Sequence, residues 1–195
     1  MARAKEFDRE TALQAAIVTF AARGFAGTST DELLRAMQIG RQSLYDTFGD
    51  KRQLYLAALQ RYGEDSVQAI VELLAKAPSP FAGLEAVLLD FARTPRRLGT
   101  ASCLGVSSTC EFGRSDAEVC AINDEFGKQL ERAFEQQVRA AQQAGEVDTD
   151  LSPREAARFL STTLCGMKVG AEGGTTPAQL TSTAKLALRS LLPHR

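Results

Sequence analysis

The stretch TSTDELLRAMQIGRQSLYDTFGDK, residues 28 to 51, carries two short helical patterns joined by a tight, glycine-containing connection. Ser29 and Glu32 stand in the S-x-x-E relation of a capping box, which predicts the start of the first helix. Leu44 and Phe48, four residues apart, give the second helix one buried side. Two short helices joined by a tight turn form a helix-turn-helix, whose second helix can enter the major groove of DNA.

The rest of the chain also has helical periodicity. Apolar residues recur every three or four positions, and the alternation typical of strands is absent. Breaks fall at Pro80, Pro95, Gly145, Pro153 and Pro177, and the longest predicted helix covers roughly 27 residues before Gly145. The sequence therefore predicts an all-α protein of about nine helices.

Composition excludes several classes of protein. The net charge of −1 gives no overall attraction to nucleic acid, so any DNA binding must come from a local arrangement of side chains. The four cysteines form no CxxC pair and the only histidine is His194, so we expect no metal and no cofactor. The charged start and the lack of a long apolar run predict a cytoplasmic protein without a membrane partner.

The side chains around the second short helix suit contact with double-stranded DNA. Arg can pair with guanine, Gln with adenine and Ser with either base. A tyrosine hydroxyl, a lysine and free N–H groups at a helix start suit phosphate. The alternative is that these residues are caps, a half-buried anchor and solvated charges. The candidates are Arg41, Gln42 and Ser43 for bases, and Thr28, Ser29, Thr30, Tyr45 and Lys51 for phosphates.

Residues 20 to 59 resemble the N-terminal DNA-binding region of TetR-type transcriptional regulators. The shared phrase is G-F-x-x-T-S/T followed by S-L-Y-x-x-F-x-x-K-x-x-L, and it begins here at Gly24. The resemblance implies a homodimeric repressor with a DNA-binding domain in residues 1 to 52. Residues 53 to 195 would form a helical ligand-binding and dimerisation domain. A small-molecule effector would release the operator, which would have two-fold symmetry.

By the same resemblance, Thr47 joins the phosphate contacts, and Arg41, Gln42 and Ser43 face bases. Two positions depart from the family pattern. The turn residue that is usually glycine is Gln38, and the residues after the tyrosine are Asp46 and Thr47. Gln38 would cost about 1 kcal/mol if its φ is positive. Asp46 is expected to point away from DNA.

Two surfaces are predicted in the larger domain. The last two helices have a bulky and a small side, which suits a four-helix dimer seam, although they could also pack on their own chain. The predicted dimer residues are Phe159, Leu160, Thr163, Met167, Leu180, Ala184, Leu188 and Leu191. An apolar effector pocket among the fifth to eighth helices would be lined by Phe91, Cys103, Val106, Cys110, Phe126, Leu130, Phe134 and Leu164.

Cys103 is a candidate redox or electrophile switch. It stands at the predicted start of a helix, where Thr100 or Ser102 could cap, and Arg96 and Arg97 precede it. The segment resembles a branch of TetR-type regulators that has a cysteine at the start of helix 6, some members of which sense oxidants or electrophiles. The alternative is a small apolar residue without a reactive role.

Two other functions stay open at this point. One is a thiol-dependent enzyme that uses Cys103, although no phosphate loop, dinucleotide fingerprint or G-x-S-x-G motif supports an enzyme. The other is a dimeric interaction module that has lost DNA binding. Gln38 and the near-neutral charge of the helix-turn-helix region would favour this alternative.

Overall fold

Local start and stop signals set the helix bounds in the computed structural model, which describes residues 7 to 94 and 103 to 193. Over these residues the chain forms nine α-helices and no strand, which confirms the predicted all-α class. The helices are α1 (Arg9–Arg23), α2 (Thr30–Met37), α3 (Arg41–Phe48), α4 (Lys51–Lys76), α5 (Pro80–Arg93), α6 (Leu104–Phe112), α7 (Ala117–Gln143), α8 (Pro153–Glu172) and α9 (Pro177–Arg189).

Side-chain caps begin several of these helices, as the sequence predicts. Ser29 and Glu32 form both halves of the capping box at α2. At the start of α4, the Gln53 N–H donates to Asp50 Oδ1 at 2.8 Å. Pro153 occupies the first turn of α8, where its missing N–H costs no helical hydrogen bond.

The described residues form two packing units, and the division falls inside α4 and α7. Unit 1 contains the described residues up to Glu64 and residues 103 to 123. Its core surrounds Tyr55, whose ring lies 5.0 Å from Phe20, 5.1 Å from Phe25 and 5.6 Å from Phe112, measured between centroids. Aromatic rings at these distances and tilts stabilise each other beyond simple burial. Unit 1 thus joins the helix-turn-helix to α6 in one core.

Unit 2 contains residues 65 to 94 and 124 to 193 of the described chain. Its core is built from α5, α7, α8 and α9 together with the end of α4, and Phe134, Leu160 and Leu84 are fully buried there. Glu146 ties the start of α5 to the loop after α7, because its Oε2 accepts from the Phe81 N–H at 2.8 Å. The predicted domain boundary at residue 52 concerns function and stays a prediction.

No helix in the described ranges is long and apolar enough to cross a membrane. No cluster of three or more histidine, cysteine, aspartate or glutamate residues in these ranges could hold a metal ion.

Candidate nucleic-acid interface

The turn between α2 and α3 fixes how the second helix is presented. Gln38 ends α2 in the left-handed conformation, with φ 55° and ψ 39°, and is the only non-glycine with positive φ among the described residues. The Ile39 N–H then donates to the Leu34 carbonyl, which closes the turn. Gln38 therefore replaces the family's usual glycine at a position where the backbone conformation favours glycine.

One side of α3 is buried and the other is open to solvent. Leu44 and Phe48 are buried in the core of unit 1, which confirms the periodicity of this helix. Tyr45 points outward and is 49% exposed, a large exposure for an aromatic residue. Arg41 and Gln42 are also exposed, whereas Ser43 and Thr47 are partly buried. The predicted base-facing residues thus lie together at the start of α3.

Two aspartates hold the longest polar side chains on this surface. Arg41 Nη2 donates to Asp31 Oδ1 of α2 at 2.6 Å. Gln42 Nε2 donates to Asp46 Oδ1, one turn further along α3, at 2.8 Å. Neither aspartate is among the site residues predicted from the sequence, although the four-residue spacing of Gln42 and Asp46 on a helix is a usable signal.

The predicted phosphate contacts are only partly available. Thr28 is 1% exposed and its hydroxyl donates to the Gly24 carbonyl at 2.6 Å, so this hydroxyl has no surface to offer a phosphate. Ser29 is exposed, but its hydroxyl is engaged in the capping box. Thr30 is partly buried. Lys51 Nζ lies 4.3 Å from the centroid of the Phe25 ring, a cation–π contact that places its charge beside the start of α4.

A carboxylate from α6 holds the loop between α1 and α2. The Phe25 N–H donates to Glu111 Oε2 at 2.7 Å and the Ala26 N–H donates to Oε1 at 2.6 Å. Gly24 makes this approach possible, because a Cβ there would lie 2.7 Å from Glu111 Oε2, and its φ is +72°. The residues are 85 and 86 positions apart, so no local sequence pattern reveals this contact.

A second polar contact joins α4 to the start of α7. Arg52 donates to both oxygens of Asp116, at 2.6 and 3.1 Å, and to Glu118 Oε2 at 2.6 Å. The hydrogen bonds from Arg52 lower the pKa of Asp116 from its ordinary 3.8 to about 2. Arg52 is therefore directed toward α7, whereas the neighbouring Lys51 lies against the Phe25 ring.

Helix α6 begins beside Cys103, as predicted, and Cys103 itself is the N-cap, without a side-chain capping hydrogen bond. It is partly buried, and its Sγ accepts a hydrogen bond from the Tyr62 hydroxyl at 3.1 Å. The four cysteines all lie in the described ranges and form no disulfide there. The other predicted parts of this environment, namely Arg96, Arg97, Thr100 and Ser102, lie outside the described residues, as does His194.

The predicted pocket residues are divided between the two packing units. Cys103, Val106 and Cys110 belong to unit 1, and Cys110 is exposed. Phe134 and Leu164 are core residues of unit 2, and Phe91 and Leu130 pack against that core. Phe126, also in unit 2, is partly buried. Their common role in ligand binding stays a prediction.

The predicted dimer residues divide in a different way. Six of them belong to the core of unit 2 and have no surface for a second chain: Leu160, Met167, Leu180, Ala184, Leu188 and Leu191. This packing on the same chain is the alternative that periodicity left open. Phe159 is 44% exposed and Thr163 is partly buried. The exposed apolar residues that periodicity missed on these helices are Val169 and Leu186.

Comparison with known proteins agrees with this architecture. Residues 12 to 58 match the model of the bacterial regulatory proteins of the tetR family. The uncharacterized HTH-type transcriptional regulator YezE of Bacillus subtilis is 36% identical over 167 residues, which cover 83% of this chain and 84% of YezE. The HTH-type transcriptional repressor ComR of Escherichia coli is 25% identical over 193 residues, which cover 96% of this chain and 90% of ComR.

A solved structure extends the likeness to the fold. A cysteine mutant of the TetR family transcriptional regulator CifR, complexed with 26 bp double-strand operator DNA, is 31% identical with a TM-score of 0.83. The match covers 96% of this chain and 99% of CifR. These relatives are regulators, which confirms the expectation of a regulator over an enzyme. The chain belongs to the TetR family of helix-turn-helix transcriptional regulators.

Proposed function

We propose that this regulator is a repressor that binds a two-fold symmetric operator as a homodimer. The observation that carries the proposal is the exposed side of α3, where Arg41, Gln42 and Tyr45 lie together above a fully packed inner side. CifR is described in complex with operator DNA, and ComR is named a repressor. Such a protein would act in the cytoplasm, where the bacterial chromosome lies.

In this proposal α3 enters the major groove. Arg41, Gln42 and Ser43 face base edges, as their position in the first turn of α3 favours. Tyr45, Lys51 and the free N–H groups at the starts of α2 and α4 contact the phosphates on either side. Ser29, Thr30 and Thr47 border the same surface. The buried Thr28 is left out of the contact set because its hydroxyl is already bonded.

A homodimer supplies the two copies of α3 that a symmetric operator requires. Successive major grooves on one side of DNA lie about 34 to 36 Å apart. Exposed apolar side chains on α8 and α9 support a dimer surface on these helices, with Phe159, Val169 and the 60% exposed Leu186 as its apolar part. The other six predicted dimer residues, which belong to the core of unit 2, would not contact the second chain.

Two routes to release of the operator are compatible with the architecture. A small effector could bind among the apolar residues of unit 2, in which case Phe91, Phe126, Leu130, Phe134 and Leu164 are the candidates. The second route is modification of Cys103. Cys103 is the N-cap of α6 and accepts a hydrogen bond from the Tyr62 hydroxyl, so a group added to its sulfur would lie at the start of α6 and beside Tyr62.

The second route has a structural connection to the DNA-binding residues. Cys103 lies at the start of α6 and Glu111 near its end, about 12 Å along the helix axis. Glu111 holds the two N–H groups of the loop that precedes α2. A group added to Cys103 that shifts α6 would therefore pull on the helix-turn-helix through this carboxylate.

Selection of bound DNA from a random pool tests the proposed function and supplies the operator. We expect sites with two-fold symmetry and an affinity that falls steeply with salt. Tyr45→Ala combined with Lys51→Ala should abolish binding, while Lys128→Ala, an exposed lysine on α7, should leave it unchanged. No enrichment of any site by the folded protein would favour the interaction module instead.

Titration with a maleimide, followed by band shift on the selected operator, tests the cysteine route. The parent protein should release DNA as Cys103 is alkylated, and Cys103→Ser should not. Glu111→Ala should bind the operator but lose most of the response to alkylation. Equal responses from the parent and Cys103→Ser would refute this route and leave the effector route.

A further inference from the structure

We propose that Asp46 positions the amide of Gln42 and thereby sets the base preference of this regulator, with Asp31 doing the same for Arg41. The inference rests on the proposed function, in which the start of α3 faces base edges. It adds two acidic residues that would not contact DNA themselves.

The hydrogen bond from Gln42 to Asp46 fixes the orientation of the oxygen and the nitrogen of the Gln42 amide. A glutamine side chain ends in one acceptor oxygen and one NH₂ group with two donors, and its terminal torsion is broad, so an unrestrained amide presents either order of groups. A carboxylate only accepts. With Nε2 at 2.8 Å from Asp46 Oδ1, the nitrogen must lie on the Asp46 side of the amide.

One donor and the whole acceptor of Gln42 are then left for DNA in a single order. This order suits adenine, whose N6 amino group donates and whose N7 accepts in the major groove. An amide free to rotate could also turn its oxygen or its nitrogen toward other bases. Asp46 therefore narrows the choice of base, although its own charge is unfavourable near phosphates.

Arg41 is restrained in a similar way from a different helix. Its Nη2 donates to Asp31 Oδ1 at 2.6 Å, and both side chains are more than half exposed. An exposed ion pair adds little to stability. It does hold a long side chain in one orientation before DNA arrives, which lowers the cost of ordering it in the complex. The other guanidinium N–H groups stay available for guanine O6 and N7.

A carboxylate without a positioning role would behave differently. It would only repel the phosphates, so its removal would raise affinity for all sequences alike. Asp46→Asn removes the charge but keeps a hydrogen-bonding amide, which can either accept from Gln42 or donate to it and so no longer imposes one order. Asp46→Ala removes both. Asp46 is exposed at the surface of α3, so both variants should fold.

The experiment is selection of bound DNA from a random pool with the wild type, Gln42→Ala, Asp46→Ala and Asp46→Asn. The position that loses its preference in Gln42→Ala identifies the base read by this residue. We expect Asp46→Ala to lose at least about fivefold of the preference at that same position and Asp46→Asn to lose part of it. Other positions of the half-site should keep their preference in both variants.

Three results would overturn the inference. The first is an Asp46→Ala preference equal to that of the wild type. The second is a uniform rise in affinity in both Asp46 variants with no change in base choice. The third is a Gln42→Ala variant with an unaltered consensus, which would leave the proposed function intact. Failure of the wild type to enrich any symmetric site would instead refute the proposed function itself.

Discussion

Replacing Gln38 by glycine should stabilise the protein. Gln38 has φ 55° and ψ 39°, a conformation that costs an L-residue about 1 to 2 kcal/mol and costs glycine almost nothing. Glycine loses about 0.5 to 1 kcal/mol more backbone entropy on folding, which offsets part of this gain. Because the Gln38 side chain is exposed, few contacts are lost. The net gain in the free energy of unfolding is about 0.5 to 1 kcal/mol.

Urea unfolding followed by circular dichroism measures this change. In a thermal unfolding experiment, a gain of this size should raise Tm by about 1 to 4 °C in a chain of this length. Gln38→Ala serves as the matched control, since it keeps a Cβ and should give no comparable gain. Gly49→Ala, at φ 81° just after α3, should lose stability instead. Gln38→Gly with unchanged or lower stability, at an unchanged denaturant slope, would refute the strain argument.

Three other predictions follow from unit 1 and unit 2. Glu111→Ala should speed hydrogen exchange at the Phe25 and Ala26 amides and lower the free energy of unfolding by about 1 to 3 kcal/mol. Glu111→Gln should have effects of intermediate size. Unchanged exchange at both amides would contradict the role of the carboxylate. Asp116 has a pKa of about 2, below its ordinary value, so its contribution to stability is present above pH 3.8 and is lost as the pH falls through about 2. Arg52→Met should therefore move the midpoint of acid unfolding to higher pH in a circular dichroism titration, and an unmoved midpoint would argue against this ion pair. Leu186→Glu should convert the proposed homodimer to a folded monomer in sedimentation experiments, whereas the buried Leu188→Glu should unfold the chain. A Leu186→Glu variant that stays dimeric would exclude this surface.

The sequence predicts what depends on neighbours along the chain. The capping box of Ser29 and Glu32, the cap at Asp50 and the first-turn proline of α8 each act over three or four residues, so their patterns are readable directly. The family resemblance of residues 20 to 59 has the same local character. The nine helices of residues 7 to 94 and 103 to 193, and the family, were predictable for this reason.

Periodicity predicts that an apolar residue is buried, but it does not show whether the same chain or a second chain buries it. Leu160, Met167 and Leu188 have the spacing of a dimer seam, but the structure buries them in their own chain and leaves Phe159 and Leu186 exposed. A threonine in a recognised motif is similarly ambiguous. Thr28 matches the family phrase, yet its hydroxyl is buried against the Gly24 carbonyl.

The sequence by itself determined the helices, the helix-turn-helix and the family, because capping, periodicity and motif spacing are local properties of the chain. Only the tertiary structure decided that Glu111 bonds the loop before α2, that Arg52 pairs with Asp116 and that Asp31 holds Arg41. These contacts join residues 10 to 86 positions apart. They depend on how the helices pack, and no pattern within one helix contains that information.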